Sequence, residues 1–216
     1  MTDAAAREPA VIWDMGGIIY RYFTEVLLDM AVAEGWDLAG VPLGPTGPVP
    51  DPDYEAMNQG RIDEPTYLAI VEERLRKAGV EIDVANAIDW TAQTRPWTWE
   101  LVAAIDRAGH AQALLTNDAT KWLGARWWET WDGREWFAAV VDVATIGVRK
   151  PAPEPYLASA EALALAPSSC LFVDDMVVNC AGAEAVGMQS HHVDIRTPEA
   201  ALERLAERLG LAPLVV

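Results

Sequence analysis

A chain of 216 residues, 51% of them hydrophobic, has the length for one domain plus an insertion and the apolar content for a sizeable core. Its formal net charge of −17 repels polyanions, which argues against nucleic acid or an anionic membrane as a main partner. No apolar run approaches membrane-spanning length, and residues 1–9 lack the basic region and long apolar core of a signal peptide, so a cytoplasmic location is expected.

In chain order, the apolar run 10–13 is predicted as a strand buried on both faces, followed by Asp14-Met15-Gly16-Gly17. The stretch to residue 95 is far longer than an ordinary connection. It carries helical patterns at 22–34, 64–78 and 84–94, interrupted by the Pro/Gly-rich residues 41–52. We expect a small α-helical cap over the strand ends; the alternative is a peripheral appendage. A helix at 101–108 leads to a strand at 113–115, which ends in Thr116-Asn117. A strand at 138–143 precedes Lys150-Pro151, and a helix at 156–165 leads to a strand at 171–173 ending in Asp174-Asp175. A helix at 181–186, a strand at 189–193 and a helix at 199–209 complete the pattern. Strands alternating with helices predict an α/β fold with a parallel sheet covered by helices. Ligands of such sheets bind at the carboxyl ends of the strands, where all but one of the polar clusters begin.

Each cluster has a chemical and a plainer reading. Asp14 ends a strand, and Gly16 and Gly17 let the backbone approach a ligand closely, so its carboxylate is a candidate nucleophile toward phosphorus; the plainer reading is a turn. Thr116 and Asn117 supply a hydroxyl and an amide for phosphate oxygens, or one of them, or Asp118, caps the following helix. Lys150, fixed in place by Pro151, would neutralise nucleophile and phosphoryl charge, or is a solvated surface cation. Asp174-Asp175 offers hard oxygen ligands suited to Mg²⁺, with Asn179 placed to orient the acidic loop.

The remaining singular residues are weaker signals. Cys170 and Cys180 have no metal or redox spacing and are expected to be reduced packing residues; His110, His191 and His192 fall outside the clusters. Five of the ten tryptophans, Trp122, Trp127, Trp128, Trp131 and Trp136, crowd one segment. Core packing is expected of them, with a dimer interface or a stacking wall for substrate as alternatives. The four-residue spacing puts Trp127 and Trp131 on one helical face, with Trp128 pointing elsewhere. Arg21 and Arg61 are candidate cations for a second anionic group on a substrate, and Tyr20, Tyr22 and Glu25 lie close enough in sequence to reach the site.

Taken together and in this order, the clusters resemble the haloacid dehalogenase-like (HAD) hydrolase superfamily over residues 11–193. The resemblance rests most closely on Ile146-Gly147-Val148-Arg149-Lys150-Pro151 with Pro155-Tyr156, and on Phe172-Val173-Asp174-Asp175 with Asn179, Ala183 and Gly187. It implies a Rossmann-like three-layer core, residues 1–19 and 96–216, and a small α-helical cap domain, residues 20–95. It also implies that Asp14 is the nucleophile and that Thr116 and Lys150 hold phosphate. Mg²⁺ would sit on Asp14, the Gly16 carbonyl and Asp174, with Asn117 and Asp175 supporting phosphate and metal.

One departure bears on mechanism. Phosphatases of this family usually carry a second Asp two residues after the nucleophile, and here that position is Gly16. Without that acid and base, an alkoxide leaving group suffers most. The sequence therefore predicts a Mg²⁺-dependent phosphatase, monomeric or homodimeric, acting on a small phosphorylated metabolite and either slow or favouring an activated leaving group. Sugar 1-phosphates, acyl phosphates and aryl phosphates qualify, and similar sugar 1-phosphate phosphatases also carry Gly there. The competing readings are a 2-haloacid dehalogenase and a non-catalytic phosphate-ligand binding protein.

Overall fold

The structure, a computed structural model, describes residues 7–117 and 119–213; Asp118 and residues 1–6 lie outside the described residues. Five strands, β1 (Arg7–Trp13), β2 (His110–Thr116), β3 (Ala139–Asp142), β4 (Cys170–Asp174) and β5 (Gln189–His192), form one parallel sheet in the order β3-β2-β1-β4-β5. The helices are α1 (Phe23–Glu34), α2 (Pro52–Asn58), α3 (Glu64–Lys77), α4 (Val84–Ala87), α5 (Pro96–Arg107), α6 (Ala119–Leu123), α7 (Trp127–Thr130), α8 (Val143–Ile146), α9 (Pro153–Ala162), α10 (Val177–Ala185) and α11 (Pro198–Arg208). None among the described residues is long and apolar enough to cross a membrane.

Alternation along each strand sends side chains to two cores. Ile12, Ala113, Leu115 and Phe172 pack with Tyr156 and Ala160 of α9 and Ala183 of α10. Val11, Trp13, Leu114, Leu171 and Val173 belong to the core that holds Leu101 and Ile105 of α5 and Leu202 and Leu205 of α11. The result is a Rossmann-like α/β sandwich of three layers, with the central strand β1 sheltered on both faces. Burial on both faces is why these strands read as unbroken apolar runs.

Several boundaries differ from the sequence reading, each for a local reason. The second strand begins at His110 rather than 113, because the buried Gln112 is satisfied by tertiary partners: it accepts from Trp13 Nε1 at 2.9 Å and donates to the Val102 carbonyl at 3.0 Å. The third strand stops at Asp142, whose carboxylate caps α8 by accepting from the Ala144 amide at 2.9 Å. Helix α10 starts at Val177 rather than 181, and the Val177 amide is capped by Asn58 Oδ1 at 2.8 Å from a segment distant in sequence. The predicted helix 84–94 breaks into α4 and a single turn, Trp90–Ala92. Finally, α7 ends at Thr130, yet Trp127 and Trp131 still meet edge-on at 5.7 Å, and Trp128 stacks on Trp131 at 6.0 Å instead of pointing elsewhere.

Helices α1–α4 lie between β1 and β2, and the chain leaves and rejoins the sheet side by side. Tyr20 and Thr94 form an antiparallel bridge, Arg21 N–H donates to the Gln93 carbonyl at 2.8 Å, and Arg95 N–H donates to the Ile19 carbonyl at 2.7 Å. Arg95 reinforces the crossing through its bond to the Gly17 carbonyl at 3.0 Å and its ion pair with Glu25 at 2.6 Å. Glu25 is thereby a structural residue that also accepts the Tyr22 amide at 2.7 Å, and it does not line the cavity described below.

Within this helical segment, residues 41–52 are ordered by the buried carboxylate of Asp51, which caps the unforeseen helix α2 through the Asp53 and Tyr54 amides. It also accepts from the Gly44 amide at 2.9 Å, the Tyr67 hydroxyl at 2.7 Å and Arg74 at 3.0 Å. Burial pushes the carboxyl up, but these hydrogen bonds outweigh it and hold the group below the usual carboxylate range. Asp51→Asn should therefore destabilise the protein by about 2 kcal/mol at neutral pH, read as a lower urea midpoint. A depressed native pKa contributes stability that is complete above the unfolded value, near pH 4, and is lost as pH falls through the native one. The midpoints of wild type and variant should accordingly converge in acid; a gap unchanged down to pH 2 would refute the assignment.

Candidate active site

The polar clusters meet at the carboxyl end of the sheet. Thr116 ends β2 and Asp174 ends β4, while Asp14 follows β1 and is tied to its neighbour by Asp14 N–H donating to the Val173 carbonyl at 2.9 Å. Between them stands the buried ammonium of Lys150, donating to Asp14 Oδ1 at 2.7 Å, Asp174 Oδ2 at 2.8 Å and the Leu115 carbonyl at 3.2 Å. Burial opposes the ammonium charge, but the two carboxylates outweigh it and raise the lysine above its ordinary range. Lys150 is thus a buried ion-paired group, not the solvated cation of the plainer reading.

Asn117 lines the cavity beside Thr116 and Lys150, and it also holds the lysine. Its Oδ1 accepts the Lys150 amide at 2.9 Å and its Nδ2 donates to the Lys150 carbonyl at 3.4 Å, so the side chain grips the lysine backbone from both sides. Thr116 lines the cavity, and its hydroxyl also accepts the Ala119 amide at 3.2 Å, so the capping reading holds too.

The two adjacent acids are unlike each other. Asp174 is saturated: besides Lys150, it accepts from Asn179 Nδ2 at 3.1 Å on each oxygen and from the Met176 amide at 2.8 Å. Asp175 Oδ2 is buried without a partner. Burial, then Asp174 and Asp14, push the Asp175 carboxyl well above the ordinary carboxylate range. Burial likewise pushes Asp14 up to about 7, with Lys150 opposing and Asp174 adding to the rise. Asp14, Asp174 and Asp175 can each point one oxygen into a space where all lie within 4.8 Å of one another. Three buried carboxylates sharing one ammonium, with one oxygen orphaned, fit a hard divalent cation such as Mg²⁺.

The glycines of the first loop differ in the same way. Gly17 has φ +73°, and a Cβ there would lie 2.6 Å from Asp175 Oδ2, so any side chain would collide with the acid cluster. A Cβ on Gly16 would meet nothing within 4 Å. The absent acid is therefore not excluded by space.

These groups form one end of a cavity of about 80 Å³. Of the helical-segment candidates, Tyr22 lines it and is buried, its hydroxyl 3.6 Å from Met57 Sδ. Arg21 also lines it, with its guanidinium paired to Asp29 at 2.6 Å. Arg61 does not: it sits exposed after α2, in a turn whose Gly60 packs against Val178. The sequence reading passed over Phe23, Glu64, Trp90 and Met176 as lining residues. Glu64, the first residue of α3, reaches to 3.7 Å from Arg149 next to Lys150, a contact across chain segments that no local pattern announces. Trp122 was legible as a possible stacking wall, and it does line the cavity.

Comparison with known proteins agrees with this geometry. The model of the haloacid dehalogenase-like hydrolase family matches residues 9–187. Protein CbbY (plasmid) of Cupriavidus necator is 35% identical over 98 residues, 44% of this chain and 38% of that protein. Phosphatase MT3486 of Mycobacterium tuberculosis is 44% identical over 55 residues, 26% of this chain and 25% of that protein. The matched segments span less than half the length of either curated relative. A dehalogenase solved with an intermediate complex has the same fold, with TM-score 0.61 at 15% identity, covering 98% of this chain and 100% of that one. With its family model covering most of its length, and with Asp14, Lys150 and the acid pair assembled at the sheet's carboxyl end, the chain belongs to the haloacid dehalogenase-like hydrolases.

Proposed function

We propose that the chain is a Mg²⁺-dependent phosphomonoester hydrolase that works through an aspartyl-phosphate on Asp14, beneath a cap formed by residues 20–95. The observation that carries this reading is the buried cluster itself: one ammonium balanced against three carboxylates, with Asp175 Oδ2 left for a cation. Asp14, Asp175 and the Gly16 carbonyl, with Asp174 beside them, would hold Mg²⁺, which when bound supplies positive charge to the phosphoryl oxygens.

In the first step an Asp14 oxygen attacks phosphorus and the bond to the leaving oxygen breaks, its electron pair departing with that oxygen. Lys150 offsets charge on the nucleophile and the transferring group, and Asn117 keeps the lysine in place. Thr116 serves with Lys150 in holding the phosphoryl oxygens. Water then attacks phosphorus, the bond to Asp14 breaks, and phosphate leaves with the carboxylate restored. No side chain at Gly16 protonates the leaving oxygen, so esters whose leaving groups are stable as anions are favoured.

A second reading, displacement of halide from a small haloacid by Asp14, draws support from the small, largely apolar cavity. The orphaned Asp175 weighs against it, because displacement at carbon gives that charge no cation.

Phosphate release from a panel of monoesters should require Mg²⁺, stop with EDTA and fall by at least about 10³-fold in Asp14→Asn. Halide release from chloroacetate without Mg²⁺, and no phosphate release, would establish the second reading instead. In calorimetry, Mg²⁺ should raise the Tm of wild type but not of Asp175→Asn, and the variant without metal should melt no lower than wild type. An Asp175→Asn protein still stabilised by Mg²⁺ would remove Asp175 from the metal site. Gly16→Asp should speed alkyl phosphates by about 10²-fold or more and aryl phosphates little, since only the former need a proton; equal effects on both would refute the leaving-group argument.

A further inference from the structure

Away from Asp14 the cavity wall changes character. It consists of Tyr20, Tyr22, Phe23, Trp90 and Trp122, with Leu123 beside them. The rings come from the insertion and from α6 and are braced against one another. Phe23 of α1 and Trp122 of α6 lie stacked, 19° apart at 6.2 Å, and Trp90 stands edge-on to Trp122 at 5.1 Å. Tyr20 in turn meets Trp90 edge-on at 6.3 Å.

The polar groups on this side are mostly engaged within the protein. Arg21 is paired with Asp29, Glu64 lies near Arg149, the Tyr20 hydroxyl accepts from Trp131 at 2.7 Å, and the Tyr22 hydroxyl meets Met57. One exception is Trp90 Nε1, a buried donor with no partner among the described residues. Hydroxyls of a sugar placed against these ring faces would lose their water and find few replacements. A planar apolar group loses nothing there and gains stacking.

Resting on the hydrolase reading above, we propose that the substrate is the phosphate monoester of a small aromatic alcohol, its ring seated against Trp122 and Trp90. An acceptor on the substrate satisfies the Trp90 N–H. The same chemistry accounts for Gly16: when the phosphorus–oxygen bond breaks, the electron pair goes to an aryloxide, which is stable enough to leave unprotonated and takes its proton from water afterwards. The aromatic wall and the missing acid thus select one class of leaving group by independent routes.

Phosphonates separate binding from leaving-group reactivity, because their carbon–phosphorus bond is not cleaved. Calorimetric titration of the full chain with Mg²⁺ should show phenylphosphonate binding at least about tenfold more tightly than methylphosphonate or glucose 1-phosphate, the last titrated on Asp14→Asn. Trp122→Ala should reduce the phenyl-to-methyl ratio to about threefold or less. Since Trp122 is partly exposed, this variant is expected to fold, and Trp90→Phe, which keeps a ring and removes only the N–H, gives a second reading of the same wall. Equal affinity for the two phosphonates, or a ratio unmoved by Trp122→Ala, overturns the aryl assignment while Mg²⁺-dependent phosphate release would leave the hydrolase reading intact. Failure of both phosphonates to bind, with no phosphate released from phenyl phosphate, overturns both.

Discussion

The ammonium of Lys150 holds the ends of three strands together. It bonds the carboxylate after β1, the carboxylate ending β4 and a main-chain carbonyl of β2, and it does so out of reach of water. A cation so placed uses all three of its donors, and each carboxylate it touches would be costly to bury without it. The strand order makes this possible, because β1 lies between β2 and β4 and a lysine at their common edge reaches all three. Neutralisation is incomplete, however, since Asp175 is left over. Burial and its two acidic neighbours push the Asp175 carboxyl well above the ordinary range, which is the cost of leaving it without a cation.

Much of this arrangement was legible in the sequence because it is written locally. Apolar runs bounded by polar clusters mark strands buried on both faces, and Asp14, Thr116 and Asp174 stand where such runs stop. What was not legible depends on partners far away along the chain. Gln112 belongs in a buried strand only because Trp13 and Val102 satisfy it, and α10 gains its first turn from Asn58. That Asn117, read as a phosphate ligand, also grips the Lys150 backbone is likewise a contact between distant segments. Arg61 had the right charge and the wrong place, since sequence proximity to a helical segment does not say which way a turn faces.

Charge at the site and charge of the whole chain run in opposite directions. An anionic substrate approaching a protein of net charge −17 is repelled at long range, yet at physiological salt that field fades over about 8 Å. Charge at contact distance therefore counts for more in the cavity than the far field, and Lys150 supplies it. On the aromatic side of the cavity the lining carboxylate of Glu64 lies 3.7 Å from Arg149.

The pairing of Tyr20 with Thr94 carries a wider consequence. The polypeptide departs from the sheet and comes back through a single narrow gate, held shut by Arg21, Ile19, Gln93 and Arg95 main-chain bonds. Loop-closure entropy grows only slowly with length, and with its ends already fastened the intervening chain imposes little on the strands beneath. The insertion is nonetheless tied to the sheet's carboxyl end by side chains, since Phe23 stacks on Trp122, Asn58 caps α10 and Glu64 approaches Arg149. Changes beyond that gate thus reach the core through such side-chain contacts more than through tension in the chain.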